Sequence, residues 1–188
     1  MLGCSGSDEI VVTKELAEAI EKIDISETYS VMSSSKNVLA CRVLMLRIIV
    51  GIAHKDEMLE WCFDFNRKDR STKVALAECI EQYLHRYANE PDKIDAMILA
   101  ITIQCFEDDY WPVRKTACNC LAKMLTTRYK DRAERKLYEG AIDPSHYVRN
   151  YLLQLCKHGK ITDGAISEQI TDIMKSDANY AVRKFANS

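Results

Sequence analysis

The residues of this chain with the richest chemistry are its eight cysteines (Cys4, Cys41, Cys62, Cys79, Cys105, Cys118, Cys120, Cys156) and four histidines (His54, His85, His146, His158). Their spacing decides what they can do. No Cys-x-x-Cys pair occurs, and no His-x-x-x-His or Glu-x-x-His pair that would set two metal ligands on one helical face. Cys118 and Cys120 lie two apart in a segment patterned as a helix, which points them about 200° apart around its axis and unsuits them as joint ligands. There is no glycine-rich loop to cradle phosphates, and no histidine is marked as the base of a cysteine nucleophile. The sequence therefore names no catalytic residue, no metal site and no cofactor. Most of the cysteines fall at apolar positions, where a reduced thiol behaves as a small hydrophobe, and the expectation is a cytoplasmic protein. Met1-Leu2-Gly3-Cys4 resembles a lipoprotein cleavage box, but no charged and apolar leader stands before it, so secretion is not expected.

The elements that must position any site are helical. The chain has 188 residues, 47% hydrophobic and 29% charged, with only six Gly and three Pro, a composition suited to one helix-rich domain with a sizeable core. The formal charge of −2 conceals a polarity: residues 1–110 carry 12 Lys/Arg against 20 Asp/Glu, and residues 111–188 carry 14 against 8. Such a gradient can orient a charged partner or a second copy of the chain.

Residues 1–12 are polar and read as a disordered tail, with 13–188 as a single domain. Thr13 is a good N-cap for a first helix ending near Asp24, and residues 25–35 break the periodicity. Val38 to Ala53 is nearly continuously apolar, but at about 16 residues with Arg42 and Arg47 inside it is too short and too charged to span a bilayer. No membrane association is expected. Apolar spacing of three and four then predicts helices near 55–66, 71–88, 91–106, 111–127, 131–141, 145–158, 163–175 and from 179. Pro91 is placed in a first turn, Asp143-Pro144 and Asp177 at breaks, and Gly159 at a stop. That is about ten helices, arranged as five antiparallel pairs.

Within this alternation one motif recurs. Asp108, Asp143 and Asp177 each precede a Val-Arg step by five residues, at Val113-Arg114, Val148-Arg149 and Val182-Arg183, and the valines are 35 and 34 residues apart. Such a period belongs to helical solenoids. A fainter copy over 69–84 has Thr72-Lys73 where Val-Arg would stand, which leaves the register there open. Asp-x-x-x-x-Val-Arg at the start of the second helix of a pair resembles the HEAT repeat. The resemblance is clear over 91–188 and fainter over 13–90. It implies an all-α fold, a right-handed α-α superhelix of about five antiparallel helix pairs. In that family the Asp and Arg columns are mainly an internal ladder, and the second helices line a concave surface.

The resemblance implies a non-catalytic scaffold or adaptor that binds a protein or peptide on that surface. The positions the motif leaves free are Trp111, His146 and Tyr180, two residues before each valine. Stacked repeats would set this ring column beside Arg114, Arg149 and Arg183, a combination suited to acidic peptides or to nucleic acid. Trp111, Arg114, His146, Arg149, Tyr180 and Arg183 are thus the candidate partner-binding residues, with the arginines divided between a structural and a ligand-facing role. Trp111-Pro112-Val113-Arg114 also looks a little like the helix start of HEAT-like DNA alkylation-repair glycosylases, with Trp61 and Asp64 as the further aromatic and carboxylate that activity would need. DNA binding or repair is therefore the alternative reading. Two further expectations concern the surface. The cation-rich segment 128–136 reads as a solvated face with companions such as Asp131 and Arg135. Val182 and Phe185 would line an apolar edge of the last repeat, offering a homodimer contact.

Overall fold

The computed structural model describes residues 14–22, 34–51, 55–62 and 64–188. The expected tail over 1–12 lies outside the described residues, as does the loop expected over 25–35 as far as residue 33; Ser34 and Ser35 already belong to a helix. Among the described residues ten α-helices follow in order: α1 (Lys14–Glu21), α2 (Ser34–Val50), α3 (Lys55–Cys62), α4 (Arg70–Arg86), α5 (Ala96–Phe106), α6 (Trp111–Met124), α7 (Lys130–Ala141), α8 (His146–Lys157), α9 (Gly164–Met174) and α10 (Tyr180–Ala186). Among the described residues there is no strand. No helix there is long and apolar enough to cross a membrane.

The helices form two layers. α2 packs on α4, α4 on α6, α6 on α8 and α8 on α10, making one continuous row of second helices. The first helices α3, α5, α7 and α9 each lie against the second helix of their own pair, and α5, α7 and α9 also against the second helix of the pair before. This is an α-α solenoid, and its core is the seam between the layers. Val113, Val148 and Val182 are all fully buried there, as are Leu76, Ile98, Leu121, Leu152 and Ile170. Each interdigitates with the neighbouring pair, so a single repeat could not bury its apolar stripe alone.

Helix ends follow their capping residues. Asp69, Asp95, Asp163 and Asn179 each accept hydrogen bonds from two backbone amides of the turn they precede, capping α4, α5, α9 and α10. Pro91 opens a separate 3₁₀ turn, Pro91–Lys93, and α5 starts only after Asp95. That corrects the placement of Pro91 in the first turn of the helix itself: Asp95, with its carboxylate free to cap, wins the helix start. Gly159 ends α8 at φ 65, and Lys160 N–H donates to the Leu155 carbonyl at 2.9 Å, the wrap that a left-handed residue permits. At Gly140 a side chain would meet Leu152 at 3.2 Å and Phe106 at 3.4 Å, so the absence of one lets α7 lie close to α8.

Candidate functional site

The repeated aspartates and arginines close on one another. Asp143 takes two hydrogen bonds from Arg114, Nε to Oδ2 at 2.8 Å and Nη2 to Oδ1 at 2.9 Å. Asp177 takes the same two from Arg149, at 2.6 and 2.9 Å. Each guanidinium also reaches back to its own turn: Arg114 Nη1 donates to the carbonyls of Asp108 and Asp109, and Arg149 Nη1 to that of Asp143. One arginine thus staples the turn it leaves to the aspartate of the next repeat. The aspartates do not cap their helices from within. Their Oδ1 accepts instead from the amide two residues on, Tyr110, Ser145 and Asn179, just ahead of the helix.

Both pairs are largely out of water, with side-chain exposures of 12% and 5% for Arg114 and Asp143 and 13% and 5% for Arg149 and Asp177. The hydrogen bonds from Arg149 hold the Asp177 carboxyl below its ordinary range, and reciprocally Asp177 raises Arg149. Among the described residues Arg183 makes the backward contacts alone, to the carbonyls of Asp177 and Ala178, and its guanidinium lies 5.8 Å from the Tyr180 ring.

The doubtful register further upstream is also resolved. Lys73 stands where the arginine would, and its Nζ donates to Asp108 at 2.6 Å, with the Asp108 side chain 1% exposed. A point charge replaces the fork, and Phe65 lies beneath it, 5.6 Å from Nζ to the ring. The fainter copy over 69–84 puts Thr72-Lys73 in the Val-Arg place with its register open, and the contact of Lys73 with Asp108 fixes that register.

The variable column behaves otherwise. Trp111, His146 and Tyr180 are the first residues of α6, α8 and α10, so they stand along one rim of the row of second helices. Trp111 is 36% exposed and Tyr180 68%. Trp111 stacks on Tyr147, with centroids 4.7 Å apart and planes at 23°, and Tyr147 in turn meets His146 at 4.0 Å. Tyr147, 54% exposed, was missed by the sequence reading because it follows the column by one residue. Stacking of successive repeats is staggered, and the ring that crosses the seam to Trp111 is the second residue of α8 rather than the first. Cations flank the strip: Arg70 lies over Tyr110 at 5.1 Å and Lys115 over Tyr151 at 4.6 Å.

Other expected groupings are not brought together. Trp61 packs against Ala40 and Val43 of α2, and Asp64 is half exposed near Arg67, whereas Trp111 is held by α8. The aspartates nearest Trp111 on the ladder are engaged by Lys73 and Arg114. Val182 is fully buried and Phe185 lies half-buried under Lys157, so they do not form the exposed apolar edge expected for a homodimer. The reason is that α10 packs on α8 as α8 packs on α6. Arg135 Nε donates to the carbonyl of Asp131, in place of the expected carboxylate companion.

The seven described cysteines are free and buried. Burial pushes the Cys41 and Cys62 thiols up to about 12, which keeps them protonated and poor as nucleophiles or ligands. Among the described residues no group of three or more His, Cys, Asp or Glu is placed to hold a metal ion.

Two layers of paired helices joined by a periodic ladder define a helical-repeat protein. Residues 98–127, comprising most of α5, the turn at Asp108 and all of α6, match the family model described as HEAT repeat. The chain thus carries a HEAT repeat, and the rungs at Asp143 and Asp177 continue its joint beyond the matched stretch. No curated protein matches the chain.

Proposed function

We propose that this chain is a non-catalytic scaffold that binds a protein or peptide along the rim of its second helices, the concave side in the family it resembles. The observation that carries this reading is the Trp111–Tyr147 stack: two large rings, 36% and 54% exposed, held against each other at the surface. Rings held in place lose little freedom when a partner covers them, and such anchors dominate protein interfaces. Tyr180 and His146 extend the strip. Arg114 and Arg149 serve it from beneath, by holding the turns on which the rings stand, and Arg183 adds charge beside Tyr180. The buried reduced thiols favour a cytoplasmic setting.

The test is to purify the tagged chain from its own cells and identify what elutes with it. The reading expects a protein that is recovered with the native chain and lost with Trp111→Ala. Duplex DNA bound at low salt and released steeply as salt rises would instead favour a nucleic-acid protein.

A further inference from the structure

The outer layer holds a second surface that the ring strip does not explain. α5 carries no charged residue along its length, and on its solvent side Ala96, Met97 and Ala100 are exposed, Met97 at 59%, with Ile103 half-buried below them. Their spacing of three and four makes one apolar stripe. The small side chains of Ala96 and Ala100 leave room for another helix to approach to about 8–10 Å between axes.

The stripe runs into a groove of about 530 Å³ between α5 and α7, lined by Ile103, Glu107, Arg132, Arg135, Lys136 and Glu139. The charges in it are not balanced locally. Lys136 is bonded to Glu107 at 2.9 Å and to Glu139 at 2.7 Å, which engages both carboxylates of the lining. The Arg132 side chain has no hydrogen-bond or ion-pair partner among the described residues, and Arg135 gives only its Nε, to a backbone carbonyl at 3.2 Å. Elsewhere on this layer Lys55, Lys93, Lys130 and Lys175 each meet a carboxylate. Two guanidiniums one turn apart are thus left without a carboxylate partner among the described residues, beside an apolar stripe.

We infer that the α5–α7 groove docks an amphipathic helix of a partner protein, its apolar stripe on Met97, Ala100 and Ile103 and its flanking carboxylates on Arg132 and Arg135. A helix supplies the ridge that the stripe's spacing accepts, and discrete carboxylates can take the guanidinium forks two bonds at a time. A nucleic-acid strand fits less well, because it would leave the apolar stripe of Met97, Ala100 and Ile103 uncovered. This surface is separate from the ring strip, which stands on α6, α8 and α10.

The probe is a displayed library of helical peptides about 18 residues long with a fixed leucine stripe and flanking positions randomised among Glu, Lys and Gln, selected on the full chain. The expected survivors are rich in Glu. Their affinity falls about tenfold or more with Arg132→Glu/Arg135→Glu and with Ala100→Lys, and holds with Trp111→Ala. Circular dichroism checks that each variant is folded, and Arg132→Gln/Arg135→Gln replaces the reversal should that variant not fold. No enrichment, enrichment without a bias to Glu, or Glu-rich peptides that bind the arginine variants as well as the native chain would each overturn the inference. So would a single-stranded oligonucleotide that binds where the peptides do not and depends on the same two arginines.

Discussion

The joint between α4 and α6 and the joints between α6, α8 and α10 do the same task with different chemistry. In the later joints a forked arginine makes two bonds to the next aspartate and one or two more to its own turn. In the earlier one a single lysine ammonium meets Asp108 and Phe65 fills the space below. The lesson is that the stack needs a buried cation at each aspartate and tolerates more than one way of supplying it. A fork adds a hold on the local turn that an ammonium lacks.

The largest effect should come from breaking a fork. Asp143→Ala removes the acceptor of two Arg114 bonds and of the Ser145 amide, and leaves a guanidinium with little access to water, so the loss should be about 3–5 kcal/mol in urea unfolding. A smaller effect sharpens the contrast. Lys73→Arg, conservative by type, should destabilise by roughly 1 kcal/mol, because the added bulk must displace Phe65 in a site where Lys73 is only 9% exposed. A gain in stability would show that the earlier joint is an impaired copy of the later ones rather than a different solution.

Acid offers a gentler way to open the regular joints. The Asp177 carboxyl is held below its usual value by Arg149, so its contribution is fully present above the unfolded value, 3.8 for an ordinary aspartate, and is lost as pH falls through the lower folded value. Unfolding free energy should therefore fall below about pH 4 more steeply in the native chain than in Asp177→Asn, which lacks the titrating group. Parallel curves would mean that this rung carries no pH-linked stability.

Much of the fold is legible in the sequence because helix boundaries are written in local chemistry: breaks at Asp143-Pro144 and Asp177, Gly159 at a stop, and buried valines at a fixed period. The site is less legible. Trp111 and Tyr180 stand exposed at the rim, yet Tyr147 depends on the stagger between stacked repeats, which no single repeat encodes. Lys73 is harder to read because Thr72-Lys73 stands where the motif has Val-Arg, although the aspartate it meets, Asp108, belongs to the motif. Val182 and Phe185 mislead because hydrophobic residues near the last helix look like an open edge until α10 is seen packed against α8. Arg132 and Arg135 sit in a cation-rich segment that reads as a solvated face, and only distances show which of its cations have partners.

Running through these contrasts is one claim: residues that repeat hold the stack, and the rings that do not repeat meet the partner. It is tested most directly by measuring, on Trp111→Ala/Tyr147→Ala, both the urea unfolding free energy and the affinity for the protein recovered with the native chain. Both rings are substantially exposed, so stability should change by no more than about 1–2 kcal/mol while binding weakens a hundredfold or more, on the order of 3 kcal/mol. A folded double variant that binds that protein as tightly as the native chain would contradict the claim.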